Sequence, residues 1–589
     1  MNEPSQSQTQ KRVTAVGAVI TSLVVLLTLF TGLGVTGIVG PDEPRYAWIA
    51  RAMAATGDWV TPRLYGQPWF EKPVLYYWTA AFGFLLHLPT EWALRLPSAV
   101  AALASAIAIG WIAAKFYGSS ALRLTDPPVF APLLFSTTVA GIGFARAATP
   151  DMLFSAFITL AMVTAASILK RANALGISSN SANSRSANTS PLALLLFGAF
   201  LGLAVLAKGP AAILLAGGAI ALWAAFTRKW PHAFRLAHPY TIVSFCVVAL
   251  PWYVLCALRN PDFLRVFIFQ HNFERYLTPV FQHRQPFWFF VPITLLALLP
   301  WTALLWPAAA SGLDLWRAKS WIQKPSPQKP SKCSPGFFFA CWAAFPIIFF
   351  SFSQSKLPSY ILPAIPAIAL LCAIGFPPAA KDHSAFPAEN TVSSGHAAGP
   401  SHMLDSARIG RRRVGVAVAI TWIILGASAR LWMHRIPSSA RQALGHLVLA
   451  AAIISVVGGV AMLYFVLRGG PSFVAASFFL VVLLLEVANL GILPALDPYI
   501  SARWHAQLMS NDLHPDRIFT YRLQRSWNYG LNFYFARELP EWSPADPNPA
   551  LILTGPAGLE SIRQLHRLNS TLDEPYKGIL YVPVGPKPR

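Results

Sequence analysis

Apolar residues in this chain come in blocks, each close to the length needed to cross a bilayer, with short polar or proline-marked connections between them. A hydrocarbon core of about 30 Å needs roughly 17–25 such residues per helix. Read in order, the blocks predict about thirteen spanning helices, at 13–38, 93–114, 127–144, 150–169, 191–207, 210–227, 239–257, 287–309, 336–352, 358–376, 413–430, 443–467 and 472–494. Lys208-Gly209-Pro210 separates the fifth from the sixth, and prolines interrupt the ninth and tenth. The first block follows Lys11 and Arg12 as the core of a signal peptide would. It is too long for one, and further spans follow, so it is read as a retained helix.

The pattern changes in the first long connection, 39–92. Asp42 or Glu43 is placed to cap a helix whose first position is Pro44. Tyr46, Ile49, Ala50 and Met53 then fall at helical spacing, an apolar stripe too narrow to span but suited to lie in the interface. Glu71-Lys72-Pro73 follows, just before Tyr76, Tyr77 and Trp78, residues that favour headgroup depth. A lysine there can neutralise a lipid phosphate. The plainer alternatives are a snorkelling lysine and acids that serve only as a cap. The pattern changes again after residue 494. RIFTYRL, LNFYFARE, ALILTG and GILYVPV read as strands and ESIRQLHRL as a helix, which predicts a small α/β domain over 495–589. The fold class is therefore an all-α polytopic membrane protein over 1–494, with amphipathic helices on the outer face and this C-terminal α/β domain.

Composition agrees. Of 589 residues, 55% are hydrophobic and only 12% charged, about half the charge of a soluble domain, which runs near 25%. The net charge of +22 is spread over short loops, so it reads as a membrane protein's positive-inside bias and not as a nucleic-acid face. Loops 310–335 and 377–412, with Arg413 at the start of the next span, hold Lys319, Lys324, Lys329, Lys332, Arg411 and Arg412 with few acids, which places them and the N-terminus inside. An odd number of spans then puts the C-terminal region outside. Loops 172–190 and 377–412 are low in complexity and carry no assigned function. The five cysteines form no CxxC pair and read as small buried hydrophobes.

In this topology the ionisable residues gather at outer helix ends. They are Arg146 and Asp151 in GFARAATPDMLF, Lys208 in the KGP turn, His271, Glu274 and Arg275 in FQHNFERY within the outer segment 258–286, and Lys356 and Tyr360 in SQSKLPSYILP. Charges near a membrane are costly and usually serve function. Glu486, within the last span, is read as pairing with a neighbouring helix.

PDEPRYAWIARAM, GDWVTPRLYGQPWFEKPVLYYW, ATPDMLF, KGP, HNFERY and SKLPSYILP, in that order from residue 41 to about 365, resemble the GT-C superfamily of glycosyltransferases. The likeness is to the bacterial branch of protein O-mannosyltransferases and lipid A aminoarabinose transferases. The resemblance implies transfer of a pentose or hexose from a polyprenyl-phosphate donor to an envelope acceptor (lipid A, a glycan or a protein) on the outer face of the inner membrane. Membrane lipid is implied as a partner and nucleic acid is not. Asp42 matches the catalytic acid, with Glu43 beside it, and Asp151 matches a second acid near the acceptor. Lys72, Arg275 and Tyr360 match the residues that hold the carrier phosphate. Arg45, Tyr46, Arg63, Glu71, Lys208, His271 and Lys356 fall in the same motifs and are candidate substrate-binding residues. Pro44 stands where the aminoarabinose transferases usually carry Thr, which leaves the sugar open.

No cofactor follows from the pattern. Glu71 and His271 are suitable ligand types for a divalent metal, without a spacing motif. If the acceptor is a hydroxyl, Asp42 acts as base; if it is a phosphate, Asp42 orients donor or acceptor. The competing readings are a transporter or lipid flippase, whose polar groups would sit near the bilayer midplane, and a non-catalytic scaffold. The transferase reading requires Asp42, Lys72, Asp151, Arg275 and Tyr360 to meet in one cleft.

Overall fold

The computed structural model describes residues 6–118, 123–172, 190–274, 284–310, 335–376, 400–434, 438–468, 473–512, 518–545, 550–564 and 579–584. Among them, eight helices are long and apolar enough to cross a membrane, and two further pairs reach that length only when the two bent halves are taken together. Three shorter apolar helices, Gly17–Phe30, Ala211–Thr227 and Pro335–Ser351, fill the remaining predicted positions. The chain is a multi-pass membrane protein.

The first helices set up the site. Helix α1 (Gln6–Phe30) leads through a turn to α2 (Asp42–Thr56), the hairpin β1 (Arg63–Leu64) and β2 (Gln67–Pro68), and α3 (Leu75–Leu85). Helix α4 (Thr90–Tyr117) follows, then α5 (Pro127–Thr137) and α6 (Val139–Ala145), then α7 (Asp151–Arg171), α8 (Pro191–Lys208) and α9 (Ala211–Thr227). The apolar run 127–144 is bent by 64° between α5 and α6. Thr138 sets the bend: it is extended, and its hydroxyl caps the new helix by accepting from the Gly141 N–H at 3.0 Å. The run 287–309 is likewise bent, by 113°.

Burial separates inner helices from lipid-facing ones. The apolar window of α7 is 83% buried in protein, that of Pro239–Arg259 only 22%, so α7 is central and the other faces lipid. Small residues permit close approach, as membrane packing without a water-driven force requires. A Cβ on Gly83 would fall 2.8 Å from the Ala93 backbone, so α3 rests directly on α4. Glu486 accepts from Thr31 Oγ1 at 2.7 Å, pairing the last span with the end of α1.

Two local expectations are corrected. Helix α2 begins at Asp42, with Pro41 ahead of it and no side-chain cap, so Asp42 and Glu43 lie inside its first turn. There they face the positive end of the helix dipole. The expected stripe is its inner face: Tyr46, Ile49, Ala50 and Met53 are all buried. The second correction concerns LNFYFARE, which is helical within Arg525–Phe535. Gly530, Leu531, Asn532 and Phe533, one full turn, are all buried, because the end of this helix is enclosed between the sheet and α2. The C-terminal sheet has β3 (Ile518–Tyr521) parallel to β4 (Ala550–Thr554), and β4 antiparallel to β5 (Leu580–Val584). Helix Pro556–Gln564 lies between the last two strands in sequence, as expected.

Candidate active site

Glu43 and Arg95 form the foundation. Arg95 comes from the apolar span α4, is 3% exposed, and donates to the carbonyls of Leu33 (2.9 Å), Thr36 (2.7 Å) and Gly37 (2.7 Å) and to Glu43 Oε2 (3.1 Å). Glu43 also accepts from the backbone N–H groups of Val39 (2.9 Å) and Ala148 (2.8 Å). One buried carboxylate thus ties the α1–α2 turn to α4 and to the turn before α7. Glu43, expected beside Asp42 as a catalytic acid, has both carboxylate oxygens engaged in these contacts.

Asp42 points the other way, with a side chain 53% exposed. It pairs with the guanidinium of Arg45, one helical turn on. Arg45 Nη1 reaches Glu71 Oε2 at 3.0 Å, and Lys72 Nζ lies 3.3 Å from Glu71 Oε1. Burial works against the charge on Arg45, but Glu71 and Asp42 outweigh it and hold its pKa above the ordinary arginine value. Arg45 also lies against the rings of Trp69 (5.5 Å) and Tyr529 (5.6 Å), the latter from the C-terminal region.

A second group forms where α7 begins and α8 ends. Asp151 pairs with Lys208 and is hydrogen-bonded by Ser359. The Lys208 ammonium sits 5.3 Å over the Tyr360 ring and 5.6 Å from that of Phe154. The two groups adjoin: Lys72 acts electrostatically on Asp151. Buried Tyr46 lies between them, its hydroxyl pKa raised well above 10 first by desolvation and then by the negative charges of Glu71, Asp42 and Asp151. Asp42, Arg45, Tyr46, Glu71, Lys72, Asp151, Lys208 and Tyr360 are therefore brought together.

Other candidates have local partners. Arg63, on the hairpin, is 42% exposed and pairs with Asp58 at 3.6 Å and with the Gly66 carbonyl at 3.2 Å. Lys356 is buried and donates to the carbonyls of Gln285 (3.1 Å) and Ser353 (2.5 Å), fastening its loop; burial lowers its pKa. Arg275 lies outside the described residues. His271 falls on the π-helical segment Arg265–Glu274, but its side chain is outside the described residues. Among the described residues no three His, Cys, Asp or Glu side chains converge as a metal site would need. Glu71 is engaged by Arg45 and Lys72.

Arg95 and Arg503 were missed as site-builders. An arginine inside the apolar run WALRLPSAV was a visible signal. Arg503 gave no such signal. It joins Asp497 (2.9 Å), Glu91 (3.4 Å) and the carbonyls of Gly34 and Val35, locking the C-terminal region onto the α1–α2 turn.

The fold, many spanning helices with an acid-and-lysine cluster beside a small C-terminal sheet, has a solved counterpart. The crystal structure of ArnT from Cupriavidus metallidurans bound to undecaprenyl phosphate superposes with a TM-score of 0.70 over 96% of this chain and 97% of that one, at 23% identity. Residues 16–267 match the family model for dolichyl-phosphate-mannose-protein mannosyltransferase. The undecaprenyl phosphate-alpha-4-amino-4-deoxy-L-arabinose arabinosyl transferase of Edwardsiella ictaluri is 32% identical over 335 residues, 56% of this chain and 54% of that protein. That of Erwinia tasmaniensis is 30% identical over 356 residues, 60% of this chain and 58% of that protein. The matched part is thus little more than half the length of these curated relatives. The chain resembles the mannosyltransferase and aminoarabinose transferase branch, as its motifs imply.

Proposed function

We propose that this protein is a membrane glycosyltransferase that moves a sugar from a polyprenyl-phosphate donor to an envelope acceptor, lipid A or another glycan, on the outer face of the inner membrane. The observation that carries the reading is the nearness of the Asp42–Arg45–Glu71–Lys72 chain to the Asp151–Lys208–Tyr360 group, with Lys72 close enough to act on the charge of Asp151 and Tyr46 feeling acids of both. Cations and acids are interleaved at helix ends, as needed to hold a lipid phosphate beside a reacting sugar.

In the proposed reaction the acceptor oxygen attacks the anomeric carbon from the face opposite the carrier phosphate. The carbon–oxygen bond to phosphate breaks, and its electron pair leaves with the polyprenyl phosphate. Lys72, with Arg275, stabilises the growing phosphate charge, and Tyr360 donates a hydrogen bond. A hydroxyl acceptor gives its proton to Asp42, an exposed carboxylate already oriented by Arg45. A phosphate acceptor has no proton to lose, and Asp42 then orients it. Lys208 pairs with Asp151 and fixes its position near the acceptor. No step is routed through a metal.

Reconstitution in proteoliposomes with a polyprenyl-phosphate sugar tests the reading. A covalent glycosylated product is expected; movement of the lipid across the bilayer without one would establish the flippase instead.

A further inference from the structure

Outside the cluster just described, the C-terminal region holds a solvent-open recess of about 390 Å³, within the roughly 300–1,000 Å³ of small-molecule sites. It lies where β3 ends and helix Arg525–Phe535 begins, the crevice at the carboxyl end of a parallel strand where α/β folds take ligands. Thr520 and Asn532 on its wall are buried. Arg522, Glu538 and Glu541 are exposed at its rim. Asn528, also on the wall, has a side-chain carbonyl oxygen shielded from solvent with no hydrogen-bond partner among the described residues. Such an orphaned acceptor calls for a donor. Arg522 holds a left-handed backbone, φ 45°, that non-glycine residues rarely adopt, and the turn directs its guanidinium to Ser561 Oγ at 2.7 Å.

The chemistry selects a ligand class. Two carboxylates against one guanidinium disfavour a phosphate. Amide and carboxylate acceptors beside N–H donors fit a ring bearing hydroxyl groups, and an amine on that ring gains from Glu538 and Glu541. Two aromatic residues connect the recess to the active site. Asn532 Nδ2 donates to Tyr65 Oη at 3.1 Å, Tyr65 stacks on Tyr529 at 6.4 Å, and Tyr529 lies 5.6 Å from the Arg45 guanidinium. We propose that this recess binds a saccharide of the acceptor and holds it while a neighbouring group on the same acceptor reaches Asp42. The role as an acceptor site rests on the transferase reading; the binding of sugar does not.

The test uses the full chain in detergent, with glucosamine, glucose and inorganic phosphate as probes followed by saturation-transfer NMR. Saturable binding of both sugars and none of phosphate is expected. Asn528→Leu should weaken sugar binding at least tenfold. Glu538→Gln with Glu541→Gln, both on exposed side chains, should weaken glucosamine more than glucose. In turnover, Asn528→Leu should raise the KM for a glycan acceptor and leave the donor KM and kcat in place. Asp42→Asn should bind glucosamine like the wild type, which keeps this test separate from that of the reaction. Absent sugar binding, binding undiminished in Asn528→Leu, preference for phosphate, or a rise in donor KM would each overturn the proposal.

Discussion

Arg45 Nη1 lies 3.0 Å from Glu71 Oε2 while the same guanidinium grips Asp42. One side chain thus sets the spacing between the exposed acid of α2 and the Glu71-Lys72 turn. Arg45→Ala should leave the protein inserted and folded but lower kcat about 10²-fold, the scale of a 1 Å misplacement. Arg45→Lys, which cannot bridge both acids with a planar fork, should recover only part of the loss. Steady-state transfer kinetics would check both.

Neighbouring acids should behave differently. Glu43 is buried against Arg95, and removing one partner of such a pair typically costs about 3–5 kcal/mol. Glu43→Gln should therefore lower thermal stability in detergent markedly. Asp42→Asn, at an exposed position, should change it by no more than about 0.5 kcal/mol.

Asp151 and Lys208 are each about one-sixth exposed or less by side chain and depend on one another. Lys208→Met alone strands a carboxylate and Asp151→Asn alone strands an ammonium. The double variant should be less destabilised than the sum of the singles, with a coupling of about 0.5–3 kcal/mol in a thermal-unfolding cycle.

The 58–68 hairpin should loosen in acid. Burial would raise the Asp58 pKa, but hydrogen bonds from the Thr61 and Val60 N–H groups, with Arg63 and Arg259, bring it below the ordinary carboxylate value. A folded pKa that is depressed contributes stability above the unfolded value, about 3.9, which is lost as pH falls through the folded pKa. Protection factors for hydrogen exchange across 58–68, taken relative to the intrinsic rate at each pH, should be high above pH 4 and fall below it. Asp58→Asn should remove that dependence.

The spans were readable because a bilayer demands long apolar runs, and each run predicted from 13–38 to 472–494 meets an apolar helix. Bends were not readable, since they depend on single residues such as Thr138, whose small hydroxyl neighbours Ser136 and Thr137 are equally compatible with a straight span. Nor was the division of labour between Asp42 and Glu43. Adjacent in sequence, they point to opposite sides of α2, and only Arg95, fifty-two residues on, shows which one is buried. LNFYFARE alternates well enough to pass for a strand. Its helix is set by packing onto α2, where Arg51 donates to the Phe533 carbonyl and lies 4.2 Å over its ring.

The central claim is that the acid and lysine cluster transfers sugar from a lipid phosphate, and a rate comparison on purified protein tests it most directly. With a polyprenyl-phosphate sugar and a hydroxyl-bearing glycan acceptor, Lys72→Ala should lose about 10²–10³ in rate and Asp42→Asn about 10²–10⁴, both variants remaining folded. Wild-type rates from both would contradict it.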